Sequence, residues 1–294
     1  MSANPIRIDR STPTAPQTSL WSRRLRMFLR DWGAVLGCIV IAVMVVLAVL
    51  APVLRFADPL SMNPLSPVQP PSWSHPLGTD SFGRDILARL IWGGRISLAV
   101  AATTVLVSGV IGTLIGLVAG YAGGAVDSFL MRIMDALFTF PSILLAVALM
   151  GVLGPSLLSV VVALVIVYIP SFARQARAET RIVRRMDYMT AGIALGAQPH
   201  RLLLRHVLPN ISATLLIRGT TFFAFTIVAE SSLSFLGIGV QPPTPTWGGM
   251  LAEARPYIAT KLWYPLMPGM AIVLCVISIN LISDALLDLI GPSK

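Results

Sequence analysis

A chain of 294 residues with 55% apolar side chains, 12% charged ones and a mean hydropathy of +0.78 is not an ordinary soluble protein. At roughly 20 residues per bilayer crossing, that length suits six spans and their loops as one all-α membrane bundle. The formal charge of +9 would suit a nucleic-acid partner. However, the arginines flank apolar runs and no aromatic-interleaved soluble domain displays them, so topology and membrane lipid account for the charge and nucleic acid is set aside.

Residues 1–32 form a polar N-terminal segment, first rich in Ser, Thr and Pro and then basic at Arg23, Arg24, Arg26 and Arg30. Its beginning is expected to be disordered. The first apolar run, 33–54, is too long for a signal-peptide core and lacks a small-x-small cleavage site, so it reads as a retained anchor. Residues 55–95 carry Pro59, Pro64, Pro67, Pro70, Pro71 and Pro76, too many for a helix or a central strand, which places the segment outside the hydrocarbon. Within it, Phe82, Ile86 and Leu90 recur at helical spacing opposite Arg84, Asp85 and Arg89, which predicts a short amphipathic helix on the membrane surface.

Residues 96–290 hold five further runs. The second run of the chain, Ile96 to Gly120, repeats a small residue every fourth position at Thr104, Ser108, Gly112, Gly116 and Gly120, a stripe that another helix can approach closely within this chain or across a subunit contact. The third extends from about Asp135 to Leu153 with Pro141 near its start. The turn Gly154-Pro155-Ser156 returns the chain antiparallel into the fourth, to about Phe172. Beyond it, Arg174, Arg177, Arg181, Arg184 and Arg185 form a basic stripe suited to solvent or lipid phosphate.

Residues 187–210 are a polar loop between apolar runs. Tyr188 to Leu195 reads as a short helix, Gly196 as a stop with φ > 0, Pro199 as the first turn of a second helix and Leu208-Pro209-Asn210 as its end. The fifth run, Ile211 to Leu236, carries the intramembrane charges Arg218 and Glu230. Arg218 is within snorkelling reach of the 187–210 side. Glu230 lies roughly 28 Å along the helix at the other boundary, where with Ser231 and Ser234 it is a candidate for the mouth of a path or for a simple interfacial carboxylate. A proline- and glycine-rich connection leads to the sixth run, Tyr264 to Ile290.

Arginines and lysines outside the runs divide fifteen to six in favour of the side bearing the termini and the 187–210 loop, so that side is expected to be cytoplasmic and the proline-rich segments to face outward. No Gly-x-x-x-x-Gly-Lys-Ser/Thr occurs, so the chain is not expected to bind or hydrolyse nucleotide itself. His75, His200 and His206 fall in loops without metal-ligand spacing, and Cys38 and Cys275 sit inside apolar runs as packing residues. A secondary carrier is the rival class, but coupling groups and inverted repeats are lacking.

Three stretches carry a resemblance to the membrane subunits of ABC importers. The loop frame Glu-Ala-Ala, three residues, Gly, nine residues, Ile, one residue, Leu-Pro falls on Thr190, Ala191, Gly192, Gly196, His206, Leu208 and Pro209. The spacing from glycine to proline is kept, while Thr190, Gly192 and His206 depart from the pattern, so the ion pair of the usual glutamate is not carried over. HPLGTDSFGRDILARLIWGGRISL and the segment Glu230 to Gly248 resemble the branch handling dipeptides, oligopeptides or nickel, specifically the subunit with the long N-terminal extension. The resemblance implies a type I importer bundle in a bacterial inner membrane with both termini cytoplasmic. It also implies partners: a homologous second permease, two ATPases using ATP-Mg, and a periplasmic or surface substrate-binding protein. The ATPase-coupling residues would be Asp187, Thr190, Ala191, Gly192, Leu195, Gly196, Leu208 and Pro209, with peptide, glutathione or nickel as cargo.

Overall fold

In the computed structural model, residues 28–53 and 58–290 are described, and every regular element among them is helical. The basic cluster Arg23, Arg24 and Arg26, the expected N-terminal disorder, Arg55 and Lys294 lie outside the described residues. Helix α1 (Trp32–Leu50) begins at Asp31, whose Oδ1 accepts from the amides of Gly33 at 2.8 Å and Ala34 at 3.3 Å. Helix α2 (Ile86–Ala122) is followed by α3 (Gly124–Phe138), α4 (Ser142–Leu153) and α5 (Leu157–Arg184). The loop contains α6 (Asp187–Ala194) and α7 (Pro199–Leu202), then a π-turn (Leu203–Val207) leading into α8 (Leu208–Phe235). A short α9 (Trp247–Ala254) precedes the last helix, α10 (Trp263–Ile290).

Five of these helices, α1, α2, α5, α10 and the path from Pro199 to Phe235, are long and apolar enough to cross a bilayer, and α3 with α4 makes a sixth if counted as one bent span. The protein is an all-helical membrane bundle. Its main seam joins α2 to α5, and the small-residue stripe lies in it. A Cβ on Gly112 would come within 2.7 Å of the Ile169 carbonyl oxygen, and one on Gly116 within 2.4 Å of that of Ala173. At Gly120 the Arg177 carbonyl would be met at 2.8 Å, while Thr104 and Ser108 are wholly buried in the same face. Only glycine allows the two backbones this close, and the stripe is thereby occupied within the chain. Helix α1 packs on α10 by the same device, since a Cβ on Gly37 would approach the Ser278 carbonyl to 2.6 Å.

Three boundaries differ from the sequence expectation. The surface helix expected around Phe82 to Leu90 does not stand alone. Its apolar positions Ile86 and Leu90 belong to the first turns of α2, which starts ten residues before Ile96 with Asp85 Oδ1 accepting from the Ala88 amide at 2.9 Å. Arg84 and Arg89, expected on an exposed face, are 2% exposed because carboxylates meet them there. The expected run from Asp135 to Leu153 is broken. Helix α3 starts earlier, at Gly124, and the chain bends by 88° before α4, at Pro141, which can neither donate to a continuing helix nor tolerate helical backbone before it. Finally, Leu208-Pro209 does not end a helix. The amide of Leu208 bonds to the Leu203 carbonyl, five residues back, so the wider π-turn carries the path into α8 with Pro209 in its first turn.

The seam yields the first prediction. Gly116→Ala is expected to destabilise the protein by about 1–3 kcal/mol through overpacking against Ala173 and Ala176. Gly151→Ala in α4, with open space around its Cα, is expected to be neutral or to stabilise by up to about 1 kcal/mol. Thermal unfolding of the purified protein in one detergent reads both, and equal melting temperatures for the two variants would contradict the seam.

Candidate functional site

The two ends of the bundle are built differently. At the loop end, Met189, Leu202, Val207 and Ile211 are buried together with Leu117 of α2 and Ala176 and Val183 of α5, so the loop is anchored on three long helices. Its turn closes as a Schellman motif: Gly196, at φ +78°, donates to the Ile193 carbonyl, and Ala197 donates to that of Gly192, each at 3.0 Å. Gly192 marks where α6 passes α7, as a Cβ there would touch Leu202 at 3.1 Å. Outward, the loop presents Leu195 at 88% exposure, with Ile193 and Leu204 also exposed. Asp187, Thr190, Ala191, Gly196 and Pro209 are exposed, while Gly192 and Leu208 are half-buried. The structure therefore brings the eight candidate coupling residues onto one small knob, anchored beneath and apolar at its tip.

The basic stripe beside this knob is partly spent inside the chain. Arg177 grips the buried carboxylate of Asp127, with Nη2 donating to Oδ2 at 2.6 Å, and Arg181 donates to the same oxygen. Arg174 pairs with Asp135 at 2.6 Å. These bonds fasten α3 to the loop end of α5.

At the opposite end, the proline-rich segment, the start of α2 and α9 are joined by four charges. Asp80 accepts from the Phe82 and Arg84 amides at 2.8 and 2.9 Å and from Arg84 Nε at 2.6 Å, and Arg89 also donates to it. Glu253 of α9 accepts from Arg84 Nη2 at 2.8 Å and from Arg89 Nη1 and Nη2 at 2.7 and 3.0 Å. Two cations and two anions thus cancel in a site where an unpaired charge would be strongly unfavourable. His75 Nδ1 lies 2.8 Å from Asp85 Oδ2 beside this cluster. Trp247 seats the start of α9 on α2, its indole donating to the Leu90 carbonyl at 3.0 Å.

Beneath α9 lies Glu230, which does not line an open mouth. Its carboxylate is wholly buried and accepts from Ser97 at 3.1 Å and Ser234 at 2.9 Å, while Ser231 and Ser234 are 6% and 4% exposed. Gly248 lies so close over Ser231 that a Cβ would come within 2.4 Å of its Cα. Neither role weighed from the sequence fits this group, which ties α2 to α8 under the cap formed by α9. Arg218, in turn, does not reach toward the loop end. Its guanidinium crosses to α5, donating to Ser171 Oγ at 2.8 Å and lying 5.2 Å from the centre of the Phe222 ring.

The comparisons decide the family. The pattern described as "Binding-protein-dependent transport system inner membrane component" matches residues 112–294, and that described as "N-terminal TM domain of oligopeptide transport permease C" matches residues 19–71. The chain belongs to the inner-membrane permease family of binding-protein-dependent ABC transporters. A putative peptide transport system permease from Brucella abortus is 41% identical over 267 residues, 91% of this chain and 90% of the relative. A dipeptide transport system permease from Alkalihalophilus pseudofirmus is 37% identical over 284 residues, covering 97% and 92%. A glutathione transport system permease from Pectobacterium atrosepticum is 38% identical over 289 residues, covering 98% and 94%. As a member of this family the permease is one multi-pass subunit of a larger transport complex.

The charge cluster at the cap was not foreseen as a unit, because Glu253 lies 164 residues from Arg89 in sequence and no local pattern pairs them. Its prediction is energetic. Replacing Glu253 by Ala leaves two buried guanidinium groups with one carboxylate and is expected to destabilise the permease by about 3–5 kcal/mol. Glu253→Gln, which keeps an acceptor oxygen, should lose less. Thermal unfolding of the purified variants reads this ranking, and a Glu253→Ala protein as stable as the parent would contradict it.

Proposed function

We propose that this permease is half of the translocation channel of an importer for dipeptides or short oligopeptides, in the bacterial inner membrane. It works with a homologous second permease, two ATPase subunits and an outer substrate-binding protein. The loop of residues 187–210 docks on the ATPases and faces the cytoplasm, as do both termini, and the proline-rich segment and α9 face outward. ATP-Mg is bound and hydrolysed by the partners, in keeping with the lack of a phosphate-binding loop in this sequence. The observation that carries the reading is the loop itself: an exposed apolar tip at Leu195 above a buried anchor at Met189, Leu202 and Val207, on the side with the arginine excess. Movement of such a knob is transmitted to α2, α5 and α8 together, which suits a switch between inward- and outward-facing states. The peptide cargo is supported by the names of the relatives from Brucella and Alkalihalophilus, and the relative from Pectobacterium favours glutathione as a second reading. Titrating the binding protein that co-purifies with the complex against dipeptides and glutathione separates the two.

The test uses Leu195→Asp, which alters an exposed tip and removes no buried contact. Reconstituted with all its partners, the variant is expected to reach the membrane at parental levels, to lose uptake, and to release ATP hydrolysis from control by loaded binding protein or to lose the ATPases altogether. Full uptake with normally stimulated hydrolysis would remove the loop from the coupling mechanism.

A further inference from the structure

Arg218 sits about 15 Å along α8 from Leu208, well inside a span. Its pairing is incomplete for a charged group. Glu230 is satisfied by serine hydroxyls, and Asp127 by two arginines. Among the described residues no carboxylate lies within ion-pair distance of Arg218, its side-chain hydrogen bond goes to the neutral Ser171, and its Nε is buried without a partner. A cation placed at this depth requires an anion, water or a polar cavity to offset its desolvation.

A cavity is present beside it. Helices α4, α5 and α8 border an open-sided pocket of about 420 Å³, lined among others by Ser142, Tyr168, Ser171, Phe222, Phe225 and Ser232. Ser171 and Phe222 are the two residues that hold the Arg218 guanidinium, so the cation stands at the edge of this space. The rings of Tyr168 and Phe222 are 4.7 Å apart and those of Phe222 and Phe225 6.1 Å apart, giving the cavity a continuous aromatic wall with hydroxyls around it. At about 100° per residue, Phe225 and Ser232 lie on the side of α8 turned away from Glu230.

We propose that this cavity is a station on the translocation path and that Arg218 receives the α-carboxylate of the peptide in transit, while the aromatic wall accommodates its side chains. The chemistry is matched: a guanidinium offers paired donors to a carboxylate, and a neutral serine and a ring face release it at little cost when the anion arrives. The assignment rests on the peptide reading above. It differs from a pairing with an acidic residue of the second permease, which would consume the same donors permanently.

The experiment uses the complete complex in proteoliposomes, with alanyl-phenylalanine and its C-terminal amide as cargo. The affinity of the binding protein for each is measured separately, and both are supplied at saturation. The parental complex is expected to carry the free acid faster than the amide. Arg218→Gln should lower uptake of the free acid by about tenfold and leave the amide nearly unchanged, and Arg218→Lys should recover part of the loss. Assembly and ATP hydrolysis stimulated by loaded binding protein should persist in both variants. Equal losses for acid and amide, or dissociation of the second permease from Arg218→Gln, would overturn the assignment in favour of a structural ion pair. Unchanged uptake by Arg218→Gln of peptides that the parent carries overturns the Arg218 assignment alone. A parental complex that carries neither peptide overturns this assignment together with the peptide reading.

Discussion

The close approach of α2 and α5 is the constraint from which the other contacts follow. Gly112, Gly116 and Gly120 let the two backbones touch, and nothing larger fits between the helices without displacing a carbonyl. Each of these helices then extends beyond the seam and supports one end of the molecule. Helix α5 continues past Phe172 to Arg184, where Arg177 and Arg181 hold α3 and where Val183 supports the loop. Toward its N-terminus, α2 supplies Arg89, Leu90 and Ser97 to receive α9. The same pair of helices therefore supports both the loop and the cap.

Charge is managed accordingly. At the ends, where the helices carry most of their ionisable groups, cations meet anions: Arg84 and Arg89 cancel against Asp80 and Glu253, while Arg177 and Arg181 share the one carboxylate of Asp127. Such pairs add little to net stability compared with apolar packing, but they give the ends one arrangement and penalise any other. Within the spans, Glu230 is enclosed by hydroxyls and α9, while Arg218 bonds to Ser171 at the edge of a pocket and lacks a counter-charge among the described residues.

Much of this was legible in the sequence because the signals were local. Apolar runs of the right length marked the spans, Gly196 and Pro199 marked the two short helices of the loop, and the small residues from Thr104 to Gly120 marked a close contact. The missing parts depended on partners distant in the chain. Arg84 and Arg89 look like surface charges until Asp80 and Glu253 are placed beside them, so the sequence alone predicts an interfacial helix where α2 begins. Pro141 was visible, but whether a proline kinks a span or breaks it depends on what packs around it, and here the path turns by 88°. Glu230 was placed at the correct end of α8 but on the wrong kind of surface, since the lid over it comes from Trp247 and Gly248 in a connection that carries no periodic signal. The π-turn before Pro209 has no sequence signature beyond the proline itself.

The central claim is that the loop end of this bundle meets the ATPases and the cap end does not. Site-specific photo-crosslinking in the complete complex tests it directly, with a photoreactive residue placed at Leu195 in one preparation and at Trp73 in another, both fully or nearly fully exposed. The account predicts that Leu195 captures an ATPase subunit and that Trp73 captures none. Capture of an ATPase from Trp73, with Leu195 yielding only lipid or the substrate-binding protein, would contradict it.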